Sequence, residues 1–214
     1  RGWPLFSHGL SAARVDLAFT GEPELAASVR GTLGRIYSSL GLFEEAERHL
    51  RRAADFAAST LGSGAVETIR ARTLLVDALT RQSRFGEALD LSCSNLELAT
   101  SVLGVDDPDR LEAAYHHALT LGFLGRTSDC VDLLRDTLER RRRVLGNDHP
   151  DTLTTLDVLP RVVELHWGRA AIAVAASVAA VAATRRVWSG TAALVVWGAY
   201  LALLAPVIGL FPSG

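Results

Sequence analysis

The sequence predicts an all-α protein: a short solenoid of helical hairpins followed by one or two hydrophobic helices. Three observations carry this reading. Leu-Gly pairs recur at 61–62, 103–104 and 145–146, each 42 residues from the last. Between them, apolar residues return at helical spacing twice in every period. The composition then breaks, because residues 1–164 hold all 24 acidic residues while residues 165–214 hold none and only Arg169, Arg185 and Arg186. Such a break marks a boundary between regions of different environment.

Bulk composition removes several function classes. At 214 residues and 49% apolar content the chain is not a disordered one. Two cysteines exclude a disulfide framework. A net charge of -2 gives no footing to a nucleic-acid binder. All 22 basic residues are arginine, which suggests a GC-rich, bacterial genome. The chain starts at Arg1, so a fragment or processed chain is expected.

The elements follow in order. Residues 1–23 are expected to form an N-terminal extension and cap helix, with Leu10, Ala13, Val15, Leu17 and Phe19 apolar. The first hairpin covers 24–62. Leu25, Val29, Leu33, Ile36, Tyr37 and Leu40 give its first helix, and Gly41 ends it. Phe43, Ala46, Leu50, Ala53, Ala54 and Ala57 give its second, with Glu44, Glu45 and Glu47 suiting the positive end of the helix dipole. The second hairpin (66–104) has helices over about 67–82 and 86–102, and the third (108–146) over about 109–124 and 128–144. Glu45-Ala46 returns as Glu87-Ala88 and Asp129-Cys130, and Phe43 as Phe85. Asp107-Pro108-Asp109 and His149-Pro150-Asp151 each open a helix, with Pro and a capping Asp at its start. A fourth unit begins at 148 and degenerates by 168, because Pro160 falls where Gly34, Val76 and Ala118 stand earlier. A helix-interior Pro costs about 3 kcal/mol or more.

Leu33-Gly34-x-x-Tyr37, Gly41, Ala46, Leu50 and Ala53 together resemble the tetratricopeptide repeat. The 42-residue period, with its Leu-Gly and Asp-His-Pro-Asp-Thr-Leu segments, resembles the longer kinesin-light-chain-like subclass. Residues 12–53 also resemble the repeat region attached to some bacterial serine/threonine protein kinases. The resemblance implies a stack of hairpins whose first helices line a concave, partner-binding face. In the kinesin-light-chain-like subclass an Asn pair sits mid first helix. Here those places hold Gly31-Thr32, Thr73-Leu74, Tyr115-His116 and Asp157-Val158. Carrying the register over from Leu33-Gly34, the groove places are Ser28, Gly31, Arg35 and Ser39, then Arg70, Thr73, Asp77 and Arg81, then Glu112, Tyr115, Leu119 and Phe123. Three arginines among them suit an extended peptide of acidic character, with Arg35, Arg70 and Arg81 as the expected contacts.

The tail, 169–211, reads as a membrane region. Val187 to Phe211 runs 25 residues without a charge, about 37 Å as a helix against a hydrocarbon core of about 30 Å. Ala170 to Ala183 is shorter and would need Arg169 and Arg185 to snorkel. With one span the arginines before it put the repeats in the cytoplasm. With a hairpin of two spans the repeats lie outside it. Out-of-frame reading of GC-rich DNA is the other source of such a tail.

Chemistry is sparse, and no enzyme activity, cofactor or metal is expected. His116 and His117 are adjacent and point about 100° apart on a helix. Cys130 takes the small core place of Ala46 and Ala88, whereas Cys93 matches the outward Arg51 and Arg135, so the two are not expected to pair. The Arg140–Arg143 run reads as a solvated helix end. The expected function is a non-catalytic adaptor that binds a protein or peptide on the concave face and is held at a membrane by its tail. The alternative is a regulatory segment of a larger bacterial signalling protein, such as a serine/threonine kinase.

Overall fold

The computed structural model describes the backbone of residues 21–187, and the side chains of 21–22, 24–164 and 174–177. The expected cap helix over 9–20 and the uncharged stretch after Val187 lie outside the described residues. Seven helices are present among them: α1 (Pro23–Ser39), α2 (Phe43–Thr60), α3 (Val66–Arg81), α4 (Phe85–Val102), α5 (Pro108–Phe123), α6 (Thr127–Leu145) and α7 (Pro150–Val187). The first six form three successive helical hairpins. The chain divides into two compact units, residues 1–159 and 160–214.

The core is built across repeats. One cluster joins Ala46 and Leu50 of α2 to Leu75, Val76, Ala78 and Leu79 of α3 and Ala88 of α4. Another joins Ile69 of α3, Ala99 of α4 and Ala113 of α5. Each hairpin therefore covers the apolar face its neighbour leaves open, which is why such units are stable only as a stack. The first helices also pack side by side, α1 on α3 and α3 on α5.

Two local features follow from the 42-residue register. Gly34 of α1 lies so close to α2 that an added Cβ would overlap the Leu50 side chain. The turn after each first helix is left-handed, with φ of 76° at Gly41, 60° at Ser83 and 82° at Gly125. In each case the next residue donates its amide back into the helix, Leu42 to Tyr37 O, Arg84 to Leu79 O and Arg126 to Leu121 O. This is the Schellman closure, which glycine adopts freely and serine does not.

Of the two helix starts at Pro-Asp segments, that of α5 has the expected aspartate cap and that of α7 does not. Asp107 accepts from the Asp109 amide at 2.9 Å and from that of Arg110. At α7 the acceptor is His149 Nδ1, 3.3 Å from the Asp151 amide. The helix does not stop at Pro160 but continues through it to Val187. Residues 150–168, expected to carry a failed hairpin and a linker, are helical throughout. Proline removes one amide donor, and the alanine-rich run 170–183 that follows has high helix propensity, so the ladder resumes. Among the described residues no helix is long and apolar enough to cross a membrane.

Candidate binding groove

The groove lies between α1 and α3. A cavity of about 560 Å³ is lined there by Glu24, Ser28, Gly31, Arg35, Glu67, Arg70 and Leu74 among others. A second, of about 280 Å³, continues along the same helices past Arg35 to Ser39, Asp77 and Arg81. Space exists here because the first repeat places small residues, Ser28, Gly31 and Ser39, where the later repeats place large ones.

Seven of the expected groove residues line these cavities: Ser28, Gly31, Arg35, Ser39, Arg70, Asp77 and Arg81. Thr73 does not. It is 3% exposed, and its hydroxyl donates to Ile69 O and accepts from the Asn95 amide nitrogen at 2.9 Å. Tyr115, at 7% exposed, is also turned inward. The equivalent place in the first repeat, Gly31, is buried as well and faces Leu74 of α3, so this register position lies in the seam between neighbouring first helices in all three repeats. Leu119 is half-buried, and Phe123 is 61% exposed and stacks on Phe85 with ring centroids 5.3 Å apart. Residues beyond the expected set also line the groove, notably Leu74 and the two first-turn acids Glu24 and Glu67. Glu24 and Glu67 stand one turn before Ser28 and Arg70 on the same helix faces, so the register reaches them once it is extended to the first turn, whereas Leu74 closes the wall from the side of α3.

The three arginines are not equivalent. Arg70 donates Nε to Asp109 Oδ1 at 2.5 Å and Nη2 to Oδ2 at 2.7 Å. Hydrogen bonding to Asp109 raises its pKa further above the ordinary guanidinium value. Arg81 donates Nε to Asp77 at 2.8 Å and lies 6.0 Å over the Phe43 ring. Arg35 is exposed, lines both cavities and has no ion pair among the described residues.

The third repeat is closed by a charged network. Arg141 is 1% exposed. It donates to Glu112 Oε2, to Asp151 O at 2.9 Å and to Thr155 Oγ1 at 2.9 Å, and its guanidinium lies 4.9 Å over the Tyr115 ring. The expectation of a solvated Arg140–Arg143 run is therefore corrected. Four successive helical residues step around the axis by about 100° each, so one of them faces inward. Arg140 and Arg143 instead share Asp106. Burial pushes the Glu112 carboxyl up, but hydrogen bonding to His116 and the charge of Arg141 outweigh it and hold its pKa at about 2. His116 and His117 diverge: His116 Nε2 lies 3.2 Å from Glu112, and His117 Nδ1 lies 2.8 Å from Ser92 Oγ. Burial lowers the His117 pKa. Cys130 is buried and its thiol is pushed up to about 11 by that burial, while Cys93 is exposed. Among the described residues no three His, Cys, Asp or Glu side chains come together as a metal site would require.

Two family models, each described as tetratricopeptide repeat, match residues 25–101 and 113–151, together more than half the chain. No curated protein matches the chain. Among solved structures, a protein of Podosopora anserina assigned as a kinesin light chain with nearly identical TPR-like repeats is similar at 22% identity. That match covers 79% of each chain with a TM-score of 0.61. A point-substituted form of the same protein matches at 23% identity, with 78% of each chain covered and a TM-score of 0.60. BtubC (BKLC) of P. vanneervenii matches at 16% identity, covering 72% of this chain and 61% of its own, with a TM-score of 0.60. These likenesses concern the fold.

Proposed function

The chain belongs to the tetratricopeptide-repeat family, and from that premise we propose that it is a non-catalytic adaptor binding an extended peptide or protein segment between α1 and α3. Tetratricopeptide repeats are generally protein-interaction scaffolds. The observation that carries the reading is the groove itself: about 560 Å³ of open space, lined by Ser28, Gly31 and Ala71 among others, with Arg35 exposed along its wall and in no ion pair among the described residues. An unpaired guanidinium beside an apolar floor suits a carboxylate on a partner chain, because the two-pronged contact is both strong and directional. Arg70 and Arg81 have carboxylates of their own chain, so Arg35 is the principal contact and the other two frame it. The test is binding of acidic-residue peptides to the Arg35→Ala chain. A loss of about tenfold with unchanged helicity supports the reading, and unchanged affinity contradicts it.

The uncharged run 187–211 supports a membrane tether for this adaptor. Alkaline carbonate extraction of cells expressing the full chain tests it. Retention in the membrane pellet, lost on combining Leu194→Arg with Val196→Asp, is the expected result. Extraction of the unaltered chain into the soluble fraction contradicts it.

A further inference from the structure

Resting on the groove reading above, we infer that the partner segment is bipolar, with an acidic side chain on Arg35 and a basic side chain at the Glu24–Glu67 end. Both carboxylates line the same cavity as Arg35. Glu24 is exposed and has no ion pair among the described residues. Glu67 reaches Arg70 only at 3.9 Å, while Arg70 makes its two-pronged contact with Asp109. That end of the groove therefore carries negative charge with little to offset it.

An acid in the first turn of a helix also suits the helix dipole. The dipole does not account for the arrangement, however. The first-turn Asp109 of α5 is held by Arg70, whereas the first-turn acids of α1 and α3 turn to one cavity whose other end holds Arg35, which has no ion pair among the described residues. Past Arg35 the second cavity holds Asp77 and Arg81, which neutralise one another at 2.8 Å. The open charges are thus one negative pole and one positive pole.

Their separation sets the spacing in the ligand. Glu24 and Arg35 are eleven residues apart on α1, which at 1.5 Å per residue is about 16 Å. An extended chain advancing about 3.3 Å per residue covers that distance in about five residues. The floor between the poles is Gly31, Ala71 and Leu74, which favours an apolar residue between the two charges. The partner class is therefore a peptide with a Lys or Arg about four to six residues from an Asp or Glu, and at least one apolar residue between them.

A random dodecapeptide display library, selected on the full chain, tests this. The expected result is enrichment of that spacing. Affinity should fall about three- to tenfold in Glu24→Gln and in Arg35→Gln. Replacing the peptide's acid by its amide should abolish the effect of Arg35→Gln, and replacing its base by Gln should abolish that of Glu24→Gln. Enriched peptides that lack the basic residue, yet lose binding when Ser28→Trp fills the cavity, overturn the bipolar inference and leave the groove reading standing. Enrichment indifferent to Ser28→Trp, or none at all, overturns both. Self-association of the chain that Glu24→Arg abolishes would assign the groove to a second copy and overturn the peptide class.

Discussion

Arg70 and Asp109 join neighbouring repeats through two parallel hydrogen bonds, of 2.5 Å and 2.7 Å, between the inner helices α3 and α5. With Arg81 held by Asp77, the pair leaves Arg35 as the expected groove arginine that has no ion pair among the described residues. The sequence alone places these arginines on a level. The structure ranks them, and the ranking has consequences that can be measured.

Releasing Arg70 should change binding more than stability. Asp109→Asn keeps the shape and removes the charge. The pair is partly exposed, so the loss of folding free energy should be about 0–1 kcal/mol. Affinity for an acidic peptide should rise several-fold as a second guanidinium becomes free. Thermal unfolding and fluorescence anisotropy, read on the same protein, check the two effects together.

Ser83 occupies the left-handed turn position that Gly41 and Gly125 occupy in the flanking repeats. A side chain there is strained by about 1–2 kcal/mol relative to glycine, offset in part by the greater freedom glycine brings to the unfolded chain. Ser83→Gly should stabilise the chain by about 0.5–1 kcal/mol. Ser83→Ala should not. Urea unfolding midpoints distinguish them.

The close approach of α1 and α2 at Gly34 gives a coupled pair. Gly34→Ala should cost about 1–3 kcal/mol, because its methyl overlaps Leu50. Leu50→Ala alone should cost about 2–5 kcal/mol by opening a cavity. The double variant should cost less than the sum, since each change relieves the other. A double-mutant cycle by urea denaturation provides the measurement, and strict additivity would count against the packing described.

The helical hairpins and the placement of Cys130 were legible because each is a local property repeated at a fixed interval. The Leu-Gly pairs and the Ala46–Ala88–Cys130 series each report on one position read three times, and Gly41 marks one helix end, whereas the left-handed turn at Ser83 carries no glycine to announce it. The groove was legible in its helix register and less so in its occupancy. Thr73 and Arg141 show why. Each is polar on a helix and reads as outward, and each is buried because a partner on another helix, Asn95 for one and Glu112 with Thr155 for the other, satisfies it. Ala57 and Ala99 hold the place of Arg141 in the earlier repeats and are buried, so the repeat register marks that place as inward, a signal that the run of four arginines hides. Long-range polar partners leave no periodic trace in the chain.

Glu112 makes stability depend on pH in the acid range. Its pKa is held at about 2 in the folded chain against 4.5 for the ordinary carboxyl. A carboxylate lowered on folding stabilises the fold fully above the unfolded value. That contribution is lost as pH falls from about 4.5 toward 2. Glu112→Gln should cost about 1–3 kcal/mol at pH 7 by leaving the buried Arg141 short of a charged partner. The difference between the two proteins should shrink as the pH falls through that window. Urea unfolding at pH 7, 4.5 and 3 follows it.

Amide hydrogen exchange with a library-selected peptide shows whether the partner lies between α1 and α3. Added protection is expected in residues 24–39 and 66–81, centred on Gly31, Arg35 and Leu74, with its loss in Arg35→Ala. Protection confined to the outer helices α2, α4 and α6, with residues 24–39 unchanged, would contradict it.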